Sequence, residues 1–176
     1  SLQAFVAERL AAEESSAAVV LDVRNGEVLA MVSTPSFNPN AFNEGLSVPE
    51  WRRLVNNPLS PLTNKTISGQ YAPGSTFKIA VMLAALEAGI PPEHSVFCPG
   101  HVKLGNQRFH CWKRHGHGAM KMIDAMRESC DVWFYRVALK LGIDKISDAA
   151  RRLGLGETLG IDLDGEKPGL IPTRAW

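Results

Sequence analysis

The amino-acid sequence predicts a mixed α/β fold, on two patterns and one exclusion. Two apolar runs rich in β-branched residues, 17–23 and 28–33, flank Arg24-Asn25-Gly26-Glu27, and an Asn-Gly pair accepts the positive φ of a tight hairpin turn. Farther along, apolar residues recur at helical spacing in segments closed by Gly89, Gly142 and Gly154. The 176 residues are 45% hydrophobic and 21% charged, which excludes a disordered, collagenous or coiled-coil chain. Nineteen Lys and Arg against 18 Asp and Glu leave a net charge of +1. That balance offers no surplus to attract nucleic acid or an anionic membrane, so neither is expected as a partner.

Taken in order, 2–12 is an amphipathic helix, with Leu2, Phe5, Val6 and Leu10 on one face. The hairpin follows. From Thr34 to Gly74 six prolines and many Asn, Ser and Gly predict a long structured loop, with a short helix at 48–56. The segment 75–88 is apolar nearly all round, as a buried helix would be. Residues 98–118 are polar and rich in Gly and His and read as loop; 123–128, 132–141 and 144–153 read as three helices. No stretch approaches the roughly 18 apolar residues of a membrane span. A start at Ser1-Leu2 and a stop at Ala175-Trp176 are those expected of a piece of a longer chain, with the sheet's remaining strands beyond Trp176.

Chemistry concentrates in two short segments. Ser75 stands where the Pro- and Gly-rich loop Tyr71-Ala72-Pro73-Gly74 becomes the apolar helix, and Lys78 is one turn farther on the same face. A lysine partly desolvated by apolar neighbours gives up its proton more readily and can act as base to a serine nucleophile. The plain reading of the same residues is an N-cap serine and a solvated first-turn lysine. The second segment is Ser129-Cys130-Asp131, at a break between helices, where a hydroxyl beside a carboxylate could pass a proton or merely cap a helix.

The cysteines are three, Cys98, Cys111 and Cys130, so they cannot all pair within the chain, and none forms a C-x-x-C redox motif. Three thiolates with one imidazole from the His-rich stretch would make a closed tetrahedral zinc site. A Cys98–Cys111 disulfide with a free Cys130, or three inert thiols, fit the spacing as well. Trp112, Trp133, Phe134 and Tyr135 read as core, and Arg151 with Arg152 as a solvated helix face.

Together, Tyr71-Ala72-Pro73-Gly74-Ser75-Thr76-Phe77-Lys78 and Ser129-Cys130-Asp131, the latter before Val132-Trp133-Phe134-Tyr135, are far more specific than either alone. The chain resembles the transpeptidase domain of class B penicillin-binding proteins, and within it the penicillin-binding protein 2 group of cell elongation. The run 22–40, from Asp22-Val23-Arg24-Asn25-Gly26 to Phe37-Asn38-Pro39-Asn40, is similar to that family's first two strands and the segment after them. The resemblance implies a β-lactamase/transpeptidase-like fold: an antiparallel sheet with helices on both faces plus a helical subdomain. Residues 1–176 would be its N-terminal portion, cut before the strand bearing the third motif, K-[ST]-G.

The resemblance also implies roles. Ser75 would be acylated by the D-Ala-D-Ala stem peptide of peptidoglycan, with Lys78 as general base and Ser129 relaying a proton toward the leaving D-alanine. Asp131 completes the second motif where Asn is commoner; its charge beside Lys78 would favour the ammonium. β-Lactams would trap the same serine. No catalytic cofactor is implied. Structural zinc would use Cys98, Cys111, Cys130 and His117, the last matching a Gly-His-Gly pattern at 116–118. The expected setting is the periplasmic face of a bacterial inner membrane, beside a membrane glycosyltransferase of the elongation complex. A D,D-carboxypeptidase or β-lactamase-like hydrolase, and a non-catalytic β-lactam sensor or scaffold, are the rival readings. No K-[ST]-G occurs, and Lys65-Thr66-Ile67 is not one. Because that motif supplies an oxyanion-hole N–H worth roughly 3–4 kcal/mol, acylation of these 176 residues by β-lactams is expected to be slow or undetectable.

Overall fold

The computed structural model describes residues 1–175 and divides them into two compact units, 1–71 with 160–167 and 72–159 with the segment from Pro168 on. Within them the strands make three two-stranded antiparallel sheets, and the helices carry most of the core.

The first unit is built on the hairpin of β1 (Ser16–Leu21) and β2 (Val28–Thr34), paired from Ser16↔Thr34 to Leu21↔Val28 with a bulge at Val20/Leu21. Its turn is local chemistry. The Asp22 carboxylate accepts the Arg24 N–H at 2.9 Å, the Asn25 side chain accepts the Glu27 N–H, and Gly26 takes φ 79° while donating to the Asp22 carbonyl. Helix α1 (Leu2–Leu10), capped by Ser1, lies along β2. The Gln3 amide donates to the Met31 carbonyl and accepts the Met31 N–H, both at 2.8 Å, so one side chain does for the sheet edge what a neighbouring strand would. The Pro-rich stretch holds α2 (Asn40–Glu44), α3 (Val48–Val55), which has a Ser47/Glu50 capping box, and α4 (Lys65–Ser68). Only α3 was expected. The other two are four or five residues long, too short for periodicity to reveal.

In the second unit the segment 75–88 does not start as one helix. Gly74–Phe77 is a turn of 3₁₀ helix, and α5 runs Lys78–Glu87, closed by Gly89 at φ 78°. Nor is α5 buried all round: Ala80, Val81, Ala84 and Ala85 face α7 and α8, whereas Ile79 and Leu86 are exposed. The small side chains at 80, 84 and 85 allow close approach of α7 (Asp131–Leu141), whose Val132, Trp133, Phe134 and Val137 are buried. Gly142, at φ 80°, ends α7 and opens α8 (Ile143–Arg152). Arg152 pairs with Glu87 of α5, and Arg151 donates to Ser147, with both guanidinium groups on the solvated face.

The main departure from expectation is 98–118. Instead of loop it contributes β3 (Val96–Cys98), β4 (His101–Leu104), β5 (Gln107–His110) and β6 (Gly118–Met120), paired β3 with β6 and β4 with β5, before α6 (Met122–Arg127). Strands of three or four residues are too brief to show alternation, and the turn at Gly105-Asn106, with Gly105 at φ 57°, lay between Lys, Arg and His residues that mask it. Trp112 and Tyr135 also depart from the core assignment: Trp112 is 61% exposed and Tyr135 37%, whereas Trp133 and Phe134 are buried as expected.

Candidate active site

Four side chains from two segments of the second unit meet. Ser75 is placed by the 3₁₀ turn Gly74–Phe77, Lys78 begins α5, Ser129 lies between α6 and α7, and Asp131 opens α7. The Ser129 hydroxyl donates to Ser75 Oγ at 2.9 Å. Lys78 Nζ donates to Ser129 Oγ at 2.9 Å, to the Ser129 carbonyl at 2.9 Å and to Asp131 Oδ1 at 2.6 Å. The three N–H bonds of an ammonium are thus all committed, and Lys78 reaches Ser75 through the Ser129 hydroxyl. Lys78 is buried, and the Phe134 ring lies 5.5 Å from Nζ, so the cation has a carboxylate on one side and an aromatic face on another. The sequence concealed the role of Phe134. Its signal was spacing, since Asp131 and Phe134 stand three apart on one face of α7.

Ser129 takes φ 50°, a left-handed conformation that costs a non-glycine residue about 1 kcal/mol or more. It persists because neighbouring backbone fixes it: Ser129 N–H donates to the Met126 carbonyl at 3.1 Å and Cys130 N–H to the Ala125 carbonyl at 2.8 Å, closing the end of α6. The turn aims both oxygens of Ser129 at Lys78.

Directly behind this turn lies the cysteine cluster. Cys98 ends β3, Cys111 follows β5, His117 precedes β6 and Cys130 sits between Ser129 and Asp131. All three cysteines are free and buried, so the disulfide alternative is not formed. The three sulfurs and His117 Nδ1 lie within 4.8 Å of one another, with Nδ1 at 3.6 Å from Cys98 Sγ and 3.5 Å from Cys111 Sγ. A tetrahedral ion with zinc–sulfur near 2.3 Å and zinc–nitrogen near 2.1 Å would separate S and N by about 3.6 Å, so His117 already stands from Cys98 and Cys111 at the spacing such an ion requires. The backbone is built to this approach: a Cβ on Gly116 would fall 2.1 Å from the Cys98 carbonyl oxygen, and one on Gly100 2.0 Å from that of Arg114. His101, His110 and His115 are not among the four converging donors.

Electrostatics separate the thiols. Burial pushes the Cys98 thiol up, but the N–H groups of His117 and Gly100 and the thiols of Cys130 and Cys111 outweigh it, leaving Cys98 below its ordinary value. Burial, with the repulsion of Cys98 and Cys111 against a further charge, pushes Cys130 up to about 12.

This geometry agrees with comparison to known proteins. Residues 16–176 match the penicillin binding protein transpeptidase domain, and the chain belongs to that family. It is 42% identical over 178 residues to the peptidoglycan D,D-transpeptidase MrdA of Escherichia coli strain K12, covering 99% of this chain and 28% of MrdA. Penicillin-binding protein 2 of Helicobacter pylori, solved in complex with MreC, superposes with a TM-score of 0.93 at 35% identity, over 99% of this chain and 33% of that one. Penicillin-binding protein A of M. tuberculosis, solved as its penicillin G acyl-enzyme complex, gives 0.74 at 31% identity over 81% of this chain and 35% of its own. The chain therefore spans under a third of the length of the curated relative MrdA.

The ion pair yields a prediction about stability. Asp131→Ala leaves a buried ammonium without its counter-ion and should cost about 3 kcal/mol in urea unfolding. Adding Lys78→Met to Asp131→Ala should recover more than half of that loss. Additive losses in the double-mutant cycle would show that the pair is not coupled.

Proposed function

We propose that residues 1–176 are the N-terminal portion of the transpeptidase domain of a peptidoglycan D,D-transpeptidase, the reading that the linked hydroxyls of Ser75 and Ser129 with Lys78 support best. Ser75 Oγ attacks the carbonyl between the two D-alanines of a stem peptide. With Lys78 as the free amine, its third proton having first gone to solvent, the Ser75 proton passes to Ser129 Oγ while Ser129 passes its own to Lys78 Nζ, and Asp131 stabilises the ammonium that re-forms. Collapse of the tetrahedral intermediate returns a proton through Ser129 to the departing D-alanine nitrogen, leaving an acyl-Ser75. The amine of a neighbouring strand then attacks this ester, its lost proton follows the same path, and Ser75 is restored. A β-lactam opens on Ser75 by the same first step but has no leaving group that diffuses away. The acyl-enzyme of the M. tuberculosis relative supports this course.

The relatives also support the setting we propose: the periplasmic face of a bacterial inner membrane, in cell-wall synthesis that maintains cell shape. A membrane glycosyltransferase of the elongation complex is the proposed partner, in keeping with a structural relative solved in a peptidoglycan synthase complex that coordinates polymerization and crosslinking. Structural zinc is proposed at Cys98, Cys111, His117 and Cys130, supported by the convergence of their four donor atoms within 4.8 Å and by the chemistry of a set of three thiols and one imidazole. Zinc there would cross-link β3, β5 and β6 to the turn that carries Ser129; it takes no part in the acyl transfer.

Intact mass after benzylpenicillin tests the reaction, on a chain extended past Trp176 to include K-[ST]-G. One stable adduct on the wild type and none on Ser75→Ala is the expected result. No adduct on the wild type contradicts acylation, and an adduct that clears within seconds favours a hydrolase. For the metal, protein purified without chelator should carry one zinc per chain by elemental analysis, and Cys111→Ser should carry less than one third of that. Zinc near zero in the wild type would overturn the site.

A further inference from the structure

Trp112 is exposed, yet it makes two hydrogen bonds, and both end on residues that flank Ser129. Its backbone N–H donates to Asp131 Oδ2 at 3.0 Å, and its indole Nε1–H donates to the Glu128 carbonyl at 2.9 Å. Asp131 is thereby held at both oxygens, Oδ1 by Lys78 and Oδ2 by Trp112. Glu128 is the C-cap of α6, where carbonyls lack helical partners, so the indole satisfies an oxygen that the helix leaves over. Trp112 is itself anchored: Cys111 N–H donates to the Gly100 carbonyl at 2.8 Å, and the indole stands edge-on to His117 with ring centroids 5.3 Å apart.

We infer that Trp112 is a positioning residue for the acylation step: it clamps the Glu128–Asp131 turn from both ends and so holds Ser129 in the left-handed conformation that joins Ser75 to Lys78. The strained residue needs such over-determination. Without the indole bond, Glu128 is free to turn its carbonyl toward water, the peptide entering Ser129 rotates, and the Ser129 hydroxyl spends less time bonded to both partners. Ångström-scale misplacement of this kind lowers the rate of the chemical step and leaves ligand binding intact. An indole acting as a wall for the ligand would do the reverse.

The inference rests on acylation of Ser75, and the test separates the two. On the extended chain carrying K-[ST]-G, the benzylpenicillin dissociation constant and the acylation rate constant are resolved by rapid-quench mass spectrometry for wild type, Trp112→Phe and Trp112→benzothienylalanine. The last keeps the shape and aromatic face of the indole and replaces its N–H donor with sulfur. Loss of one such hydrogen bond should lower the acylation rate constant about fivefold to tenfold in both variants. The dissociation constant, final adduct stoichiometry, zinc content and thermal midpoint of the benzothienylalanine variant should match wild type. An unchanged acylation rate constant in that variant, or a raised dissociation constant with the rate constant unchanged, would overturn the clamp. A wild type that takes no adduct would remove the acylation reading, and this inference with it.

Discussion

Everything at the site depends on how the ammonium of Lys78 is compensated. A buried cation survives only with a partner and a full set of acceptors, and those here come from a single tripeptide: the Ser129 carbonyl, the Ser129 hydroxyl and the Asp131 carboxylate. Lys78 begins α5, and the tripeptide joins α6 to α7, so one side chain ties these elements together. The same three bonds that satisfy the charge orient Ser129 toward Ser75. Structural necessity and catalytic geometry share their atoms, which is why the turn tolerates a serine at φ 50° where glycine would be easier.

Behind the turn, Cys130 belongs to two constructions at once. Its neighbours face Ser75 and Lys78, while its own thiol joins the buried thiols of Cys98 and Cys111 and the half-buried imidazole of His117. A short strand pair, β3 with β6, brings Cys98 and His117 near each other, and glycines at 100 and 116 remove the Cβ atoms that would hold the loops apart. The segment that looked like irregular connection is thus a small scaffold. Its strands pack Cys98, Val102 and Met120 into the core and leave Phe97, Leu104 and Phe109 on the surface.

Much of this was legible in the sequence, where local rules are strong. The hairpin followed from Asn25-Gly26 between β-branched runs, and α7 and α8 from apolar spacing and the glycines that end them. Ser75, Lys78, Ser129 and Asp131 were found because their motifs are short and their residue types chemically selective. The convergence of Cys98, Cys111, Cys130 and His117 was anticipated partly from count and partly from family resemblance. Less legible was whatever depends on partners distant in sequence. The four short strands take their register from one another and offer no period of their own. The exposure of Trp112 could not be read either, because an aromatic residue beside a cysteine looks like core until the turn it bonds is in place. The 3₁₀ start of α5 likewise depends on Ser75 being drawn toward Ser129, 54 positions away.

In the proposed reaction the Ser129 hydroxyl is the proton bridge between Ser75 and Lys78. Ser129→Gly is the test, because glycine keeps the left-handed turn and the carbonyl bond to Lys78 while removing the hydroxymethyl group. The measurement is the benzylpenicillin acylation rate constant of that variant on the extended chain, with thermal midpoint as control. The expected result is a fall of about 100-fold or more, as for loss of a positioned acid–base group, with the midpoint lowered by no more than the loss of one hydrogen bond. A rate within threefold of wild type would contradict it.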